Sequence, residues 1–325
     1  METQIQLQND FIIPEERIID GENNPFIEAN TKKVSMIHLK NDCTIPVFSK
    51  DNECTVSHQE FINASLECTR SVFEGHIINL PEVRVSHVVK GRIPSAIGKP
   101  VKELLEQDKT IYYERMMFKI EVPSISEDVN GNQLSLVVGG VRAYNQENLY
   151  SKKNFEKFKI FIGFKNLVCT NLCISSDGSV AELRVSNVDE LKNQIINVIG
   201  NYEMQEHLKS LRVLPNYHLT EKQFAQLIGR CRLYSYLPKN EKQDIPELLL
   251  NDGQISTVAK GYYEDKNFCR DENGDISLWQ VYNLLTGSVK SAYIDTFLNR
   301  SVNAHEIVYN IKQAIQTKTP SWYLS

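Results

Sequence analysis

The sequence lacks any apolar stretch long enough to cross a membrane. No window approaches the ~18–20 consecutive apolar residues that a transmembrane helix needs. The start, Met-Glu-Thr-Gln-Ile-Gln, also lacks the basic and then apolar pattern of a secretory signal. The net charge of −5 excludes a bulk polycation, so any nucleic-acid surface has to be a local patch. These absences predict a soluble, cytoplasmic protein with no membrane partner.

A disulfide framework is also missing. The seven cysteines are odd in number and irregularly spaced, which indicates free thiols in a reducing compartment. Apolar residues make up 41% of the chain and charged residues 24%, proportions that favour a globular fold over a disordered chain. A chain of 325 residues buries about three quarters of its unfolded surface, so a large core needs no cross-links.

Familiar catalytic and metal-binding motifs are absent. The segment 91–100 has two residues too many between its glycines for a phosphate-binding loop, and Pro100 stands where the hydroxyl should be. His305 begins a zinc-protease pattern, but Tyr309 occupies the place of the second histidine. Cys169 and Cys173 have no second ligand pair, so packed thiols explain them better than a metal. We expect no cofactor and no metal, and a non-enzymatic role is favoured without excluding an enzyme.

The middle of the chain alternates between apolar and polar residues with the period of β-strands. Asn130-Gly131 and Asp177-Gly178 are strong turn signals between such segments. The fold class predicted is α+β, with a central antiparallel β-meander of four to five strands, helices before it and a helical C-terminal half. The predicted strands are Met117–Val122, Gln133–Tyr144, Phe155–Phe164, Leu167–Ile174 and Ala181–Val185.

Helices are predicted on both sides of the meander. Ser57 and Thr220 each begin a capping box before an apolar stretch of helical spacing. A hairpin is expected within residues 33–48 and a short helix from Pro100 to about Gln107. Further helices are expected at Gln254–Tyr263, Ser277–Leu285, Ala292–Leu298 and Ala304–Ile315. The predicted divisions are an irregular acidic leader (1–30), a mixed α/β domain with the antiparallel sheet (31–186) and a helical part packed on it (187–325).

A basic patch lies in the meander. Residues 139–165 contain six basic and two acidic side chains, a local charge of +4. Strand alternation places Lys157, Lys159 and Phe161 on the face opposite the apolar one. Lysines beside aromatic rings suit a single-stranded nucleic acid, whereas a solvated strand face that discourages edge pairing is the alternative. The candidate nucleic-acid-binding residues are Arg142, Lys152, Lys153, Phe155, Lys157, Lys159, Phe161 and Lys165.

The C-terminal helices combine aromatic and hydrogen-bonding side chains at helical spacing. Such a set can line a ligand cleft, or it can form a buried polar network that ties helices together. The candidate cleft residues are Tyr282, Asn283, Lys290, Tyr293, Asp295, Arg300 and Asn303.

Four stretches carry a resemblance to a known family. Leu219–Arg230 and Ser277–Gly287, together with Lys90–Pro94 and Tyr112–Met116, resemble the bacterial domain-of-unknown-function family 3871 over most of the chain. Phe164–Cys173 is also similar to the phage- and plasmid-borne domain-of-unknown-function family 932, a likeness that implies a mobile-element setting. Neither family supplies catalytic residues to carry over to this sequence.

Three hypotheses about function follow. The first is a non-enzymatic protein of a mobile element that binds single-stranded nucleic acid or anneals it. The second is an enzyme or small-ligand binder with a cleft in the C-terminal helices. The third is a protein-partner-binding factor, which an exposed apolar patch would reveal. An oligomer is compatible with all three.

Overall fold

The computed structural model describes residues 24–43, 55–96, 98–146 and 155–324. Its strands are β1 (Lys32–Val34), β2 (Glu82–Val85), β3 (Val88–Arg92), β4 (Lys109–Tyr113), β5 (Arg115–Val129), β6 (Asn132–Ala143), β7 (Glu156–Asn166), β8 (Leu172–Cys173), β9 (Ser179–Val185), β10 (His218–Leu219) and β11 (Ile276–Ser277). Its α-helices are α1 (Met36–Asn41), α2 (His58–Val72), α3 (Val188–Asn201), α4 (Met204–Arg212), α5 (Glu221–Tyr234), α6 (Asp252–Glu264), α7 (Leu278–Val289) and α8 (Ile294–Thr317).

An antiparallel sheet forms the centre of the fold. Within the described part of the chain it has seven strands in the order β1-β2-β5-β6-β7-β8, and β9 also pairs with β7. The sheet therefore contains the predicted meander but more strands than the four to five expected. Asn130 and Gly131 join β5 to β6 with φ of 53° and 75°, the positive values that a two-residue hairpin turn requires. The predicted turn is confirmed there.

Two consecutive glycines let aromatic rings approach β6 from both faces. A Cβ atom at Gly140 would lie 2.5 Å from Cζ of Phe61 in α2, and one at Gly139 would lie 2.3 Å from Cζ of Phe161 in β7. Both distances are far below a van der Waals contact, so only glycine fits at either position. The sheet is thus packed closely on its two sides at the same point of the same strand.

The predicted capping boxes begin their helices as expected. The Ser57 hydroxyl accepts the Glu60 amide proton at 3.1 Å, and the Glu60 carboxylate accepts the Ser57 amide proton at 2.7 Å. Thr220 and Gln223 form the same reciprocal pair at the start of α5. The cap of α2 directs Phe61 onto the sheet, where its ring centroid lies 4.7 Å from that of Phe158.

Two predicted elements before the meander are wrong. The expected hairpin in 33–48 is a three-residue strand followed by helix α1, and residues 44–48 lie outside the described residues. The expected helix at 100–107 consists of two 3₁₀ turns, Val101–Glu103 and Glu106–Asp108. Leu105 between them is extended, with ψ of 162°, because its amide donates to the Asp108 carboxylate at 3.0 Å. This local contact outweighs the helical pattern.

Two further predictions are corrected after the meander. The predicted strand Leu167–Ile174 reduces to the two residues of β8, because Thr170 adopts a left-handed conformation with φ of 59° and closes a turn. The two helices predicted between Ala292 and Ile315 are the single 24-residue helix α8. No proline or glycine interrupts that stretch, so nothing in it breaks the helix.

The C-terminal helices pack against the sheet. The Trp279 indole N–H in α7 donates to the Asn132 side-chain oxygen at 2.7 Å. Phe61, Phe118, Trp279 and Ile307 all belong to one buried apolar cluster. Residues 1–23 of the expected leader lie outside the described residues, and the expected boundary between residues 186 and 187 stays a prediction.

Candidate nucleic-acid interface

The lysines predicted on β7 are all engaged with neighbouring groups. Lys157 forms an ion pair with Glu182 at 3.3 Å, and Lys165 pairs with Glu121. Lys159 donates to the main-chain oxygen of Asp295, in the first turn of α8, at 3.1 Å. Burial lowers the pKa of Lys159, although nearby carboxylates oppose that effect. Of these three, Lys165 is only 15% exposed, so little of this face is available to a ligand.

Two other members of the predicted set lie inside the fold. Arg142 is fully buried, with its guanidinium 4.6 Å from the Tyr144 ring centroid and 4.5 Å from that of Phe158. Phe161 is fully buried against Gly139. Neither side chain reaches the surface, contrary to what a binding role requires. The lysines at 152 and 153 lie outside the described residues, whereas Phe155 is 57% exposed.

Three of the predicted cleft residues form internal hydrogen bonds. Asn283 accepts from Asn166 at 3.0 Å, and Asn303 accepts from the Leu249 amide at 2.9 Å. The Lys290 ammonium donates to the Asn24 side-chain oxygen at 2.6 Å and to two oxygens of the turn before β8. Burial lowers the pKa of Lys290 to about 8. This arrangement is the polar network that was the alternative to a cleft.

The remaining predicted cleft residues divide between core and surface. Tyr282 is fully buried, and burial raises the pKa of its phenol. Tyr293 is 60% exposed, and Arg300 donates to Gln254 at 2.8 Å. Asp295 lies 3.5 Å from the Arg115 guanidinium and also meets Lys159 through its main chain. The structure therefore brings the two predicted sets together at the start of α8.

A separate two-stranded ribbon, β3 paired with β4, carries a cationic face that no sequence motif indicates. Cross-strand partners in the ribbon include Gly91 with Thr110 and Arg92 with Lys109. Thr110 is buried, and the Tyr112 ring contacts the Tyr144 ring edge-on at 6.0 Å, so the face that carries them is turned toward the rest of the protein. Side chains alternate along a strand, so Lys90, Arg92 and Lys109 lie on the opposite, outer face. Tyr113 shares that face but is buried, so the face is open to solvent at its Lys90–Arg92 end.

The outer face of the ribbon is positively charged. It carries Lys90, Arg92 and Lys109, of which Lys90 and Lys109 are exposed. Arg92 lies directly opposite Lys109, and like charges in that arrangement destabilise a strand pair. Lys109 pairs with Glu106, whereas Lys90 has no ion-pair partner among the described residues.

The loop that joins the ribbon strands is held by its own contacts. Arg92 donates to the main-chain oxygen of Lys99 at 2.6 Å, and the Lys99 ammonium donates to the Asp108 carboxylate at 2.9 Å. The Leu105 amide and then Lys99 hold the pKa of Asp108 below its usual value. These bonds fix the direction of the Arg92 side chain, so the outer face of the ribbon is preorganised.

Neighbouring basic residues extend the ribbon surface. Lys32, Lys33 and Lys40 are exposed on β1 and α1, and the Lys32 ammonium lies 5.0 Å from the ring centroid of Tyr113 in β4. Residues 31–42 and 86–113 together contain eight basic and four acidic side chains, a charge of +4 on a chain whose net charge is −5. The ribbon and its surroundings are therefore a local basic patch.

Sequence reasoning missed this surface because it tested segment 91–100 only as a phosphate-binding loop. The signal that identifies the ribbon is the alternation of Lys90 and Arg92 around Gly91, followed by a second alternating run from Lys109 to Tyr113. Each run has five residues, and 16 residues separate them, so neither suggested the other as its partner.

The described residues give no sign of a metal centre or of a membrane span. They contain no group of three or more histidine, cysteine, aspartate or glutamate side chains placed to hold a metal ion. None of their helices combines the length and the apolar character that crossing a membrane requires. All six cysteines that lie in this part of the chain are free thiols, as expected.

By its architecture the chain is a mixed helix-and-sheet protein, with a curled antiparallel sheet and a helical C-terminal part. The chain belongs to the family described as "Domain of unknown function, B. Theta Gene description (DUF3871)", whose model matches residues 6–324. It matches none of the curated proteins and none of the solved structures with which it was compared. The resemblance to family 3871 is confirmed, and the likeness to family 932 stays a prediction.

Proposed function

We propose that the protein binds nucleic acid without catalysing a reaction on it, and that the outer face of the β3–β4 ribbon contacts the phosphates. The observation that carries this proposal is the cluster of Lys90, Arg92 and Lys109 on one strand face, with Lys90 and Lys109 exposed and Arg92 half-buried. Lysine and arginine side chains bind phosphate oxygens and release counterions, which supplies most of the affinity of such contacts.

The shape of the ribbon favours binding of duplex nucleic acid over binding of single strands. A two-stranded ribbon fits the major groove of a duplex, whereas single-strand binding depends on exposed rings for base stacking. The ribbon's own tyrosines, Tyr112 and Tyr113, contact Tyr144 and His38 within the protein. The alternative is that single-stranded nucleic acid binds at β7, as the sequence first suggested. Of the residues predicted for that site, Phe155 and Lys157 are accessible.

We propose in addition that this binding takes place in the cytoplasm and on a mobile element. The free thiols of the described residues suit a reducing cytoplasm. The predicted likeness of Phe164–Cys173 to a phage- and plasmid-borne family is the reason for proposing a role on a mobile element, where proteins that hold or anneal DNA are needed. Purification from cells that carry the element and from cells cured of it would test that setting.

The direct test is the anisotropy of labelled single-stranded and duplex DNA against the purified protein, in salt from about 50 to 200 mM. We expect duplex binding that weakens steeply as salt rises. Replacing Lys90 and Lys109 by glutamine should weaken it at least tenfold and reduce the slope of log K against log salt by about 2, because two phosphate contacts are lost.

Matched variants separate the two surfaces. Lys260→Gln removes an exposed lysine on α6, far from the ribbon in sequence, and should leave binding unchanged. Lys157→Glu reverses the charge of the accessible β7 lysine. Loss of binding in Lys157→Glu alone would move the site to β7. Absence of binding to either DNA at low salt would refute the nucleic-acid proposal altogether.

A further inference from the structure

A small cavity lies at the end of α5, away from the ribbon. Its volume is about 250 Å³, it is open to solvent on one side, and it is bordered by the last turn of α5, a 3₁₀ turn at Glu241–Asp244 and the segment that leads into α6. Cys231, Leu248 and Leu250 line it and are all buried. The cavity therefore combines these three apolar side chains with polar and charged ones (Arg232, Tyr234, Ser235, Lys242 and Asp252), and its size holds on the order of ten non-hydrogen atoms.

The charged groups around the cavity do not balance. The Arg232 guanidinium makes two hydrogen bonds to the Asp252 carboxylate, at 2.7 and 3.2 Å, so this pair is neutral as a unit. The Lys242 ammonium lies 4.8 Å from the ring centroid of Tyr234 and 3.5 Å from the main-chain oxygen of Ser235. It has no carboxylate partner among the described residues. One cation at the cavity wall is thus left without a counter-ion.

A second polar group lies close to the same cavity. The Tyr323 hydroxyl is buried and has no hydrogen-bond partner among the described residues. Tyr323 follows Trp322, whose ring centroid lies 5.9 Å from that of Tyr234, a cavity-lining residue. A buried hydroxyl normally finds a partner because leaving it unpaired is costly. This region of the protein is therefore incomplete in its hydrogen bonds as well as in its charge.

We propose that this cavity binds a small monocarboxylate that carries an apolar ring or a branched apolar chain. The carboxylate pairs with Lys242, which supplies a charge-assisted hydrogen bond. The apolar part of the ligand packs on Leu248 and Leu250. A dianion would leave one charge unpaired, because Arg232 is already held by Asp252, and a neutral ligand would leave Lys242 uncompensated.

The test uses phenylacetate as the probe and phenylacetamide as its neutral counterpart of the same shape. Binding to the full-length protein is followed by saturation-transfer NMR and titration calorimetry. We expect phenylacetate to bind at least tenfold more tightly than phenylacetamide, since the amide cannot form the ion pair. Lys242→Met should remove that preference, and Lys242→Arg should keep it.

A nearby lysine provides the matched control. Lys239 is exposed and does not line the cavity, so Lys239→Met should bind phenylacetate like the unaltered protein. Thermal unfolding of both methionine variants establishes that they fold. Equal binding of phenylacetate and phenylacetamide, an unchanged preference in Lys242→Met, or no binding of either probe would overturn the proposal. None of these outcomes depends on whether the protein binds DNA.

Discussion

Lowering the pH from 7.5 to 5.0 should destabilise the protein through three histidines, His58, His207 and His305, whose pKa values burial lowers. His58 is 6% exposed and His207 is 3% exposed. Burial lowers the pKa of each imidazole to about 3, assisted by the neighbouring Arg142 cation at His58 and by His305 at His207. Both rings are therefore neutral in the folded protein throughout this pH range, whereas the unfolded chain takes up protons below about pH 6.5.

The magnitude follows from linkage. Because the unfolded state binds more protons, stability is fully present above pH 6.5 and falls as the pH drops from there toward the folded pKa. At pH 5.0 the difference is about 1.5 pKa units for each ring, or about 2 kcal/mol. Burial also lowers the pKa of His305 to about 4, so that ring adds a similar amount, and the three histidines together lower the free energy of unfolding by about 6 kcal/mol. Carboxylates contribute little in this window, since most of their unfolded-state titration occurs below it.

Urea unfolding at pH 7.5 and 5.0 measures the effect. His207→Gln and His58→Gln should each remove about 2 kcal/mol of the pH dependence, whatever they do to the stability at pH 7.5. His218 is exposed on β10, and His218→Gln serves as the control that keeps the full dependence. If the unaltered protein is equally stable at both pH values, or if both buried-site variants retain its slope, the reasoning is refuted.

Two other predictions concern the packing around Gly140 and the hydrogen bond between Lys290 and Asn24. Gly140→Ala should destabilise by roughly 1–3 kcal/mol in urea unfolding, because its methyl group would overlap Phe61. Gly200→Ala, in α3 with open space around it, should instead stabilise by up to about 1 kcal/mol, and equal effects of the two would contradict this account. Lys290→Met should speed amide hydrogen exchange in residues 24–29, and unchanged exchange there would show that the ammonium does not hold this segment.

Long, strongly patterned elements could be predicted from the sequence. β5, β6 and β7 have at least 11 residues each and contain long stretches rich in apolar residues bounded by turn signals, and capping boxes mark the starts of α2 and α5. β1 has three residues, too few for a pattern. Short elements owe their form to contacts with distant residues, which a sequence pattern does not contain.

The candidate site was harder to predict than the fold. Alternation along β7 predicts one face for Lys157, Lys159 and Phe161, but periodicity cannot tell whether another element covers that face. The first turn of α8, more than 130 residues later, reaches Lys159. The Lys90–Arg92 face has the same kind of alternation and remains open, a difference that only the packing of the ribbon decides.

The bond between Lys290 and Asn24 has a consequence for how the chain is made. The two residues are 266 positions apart, and the Glu28 amide also donates to the main-chain oxygen of Lys290 at 2.8 Å. At a synthesis rate of about 5–20 residues per second, these contacts cannot form until roughly 13–53 s after Asn24 is added. During that interval the nascent chain carries an N-terminal segment whose final anchor does not yet exist. Synthesis has to pass Lys290 before the segment around Asn24 can take its final place in the fold.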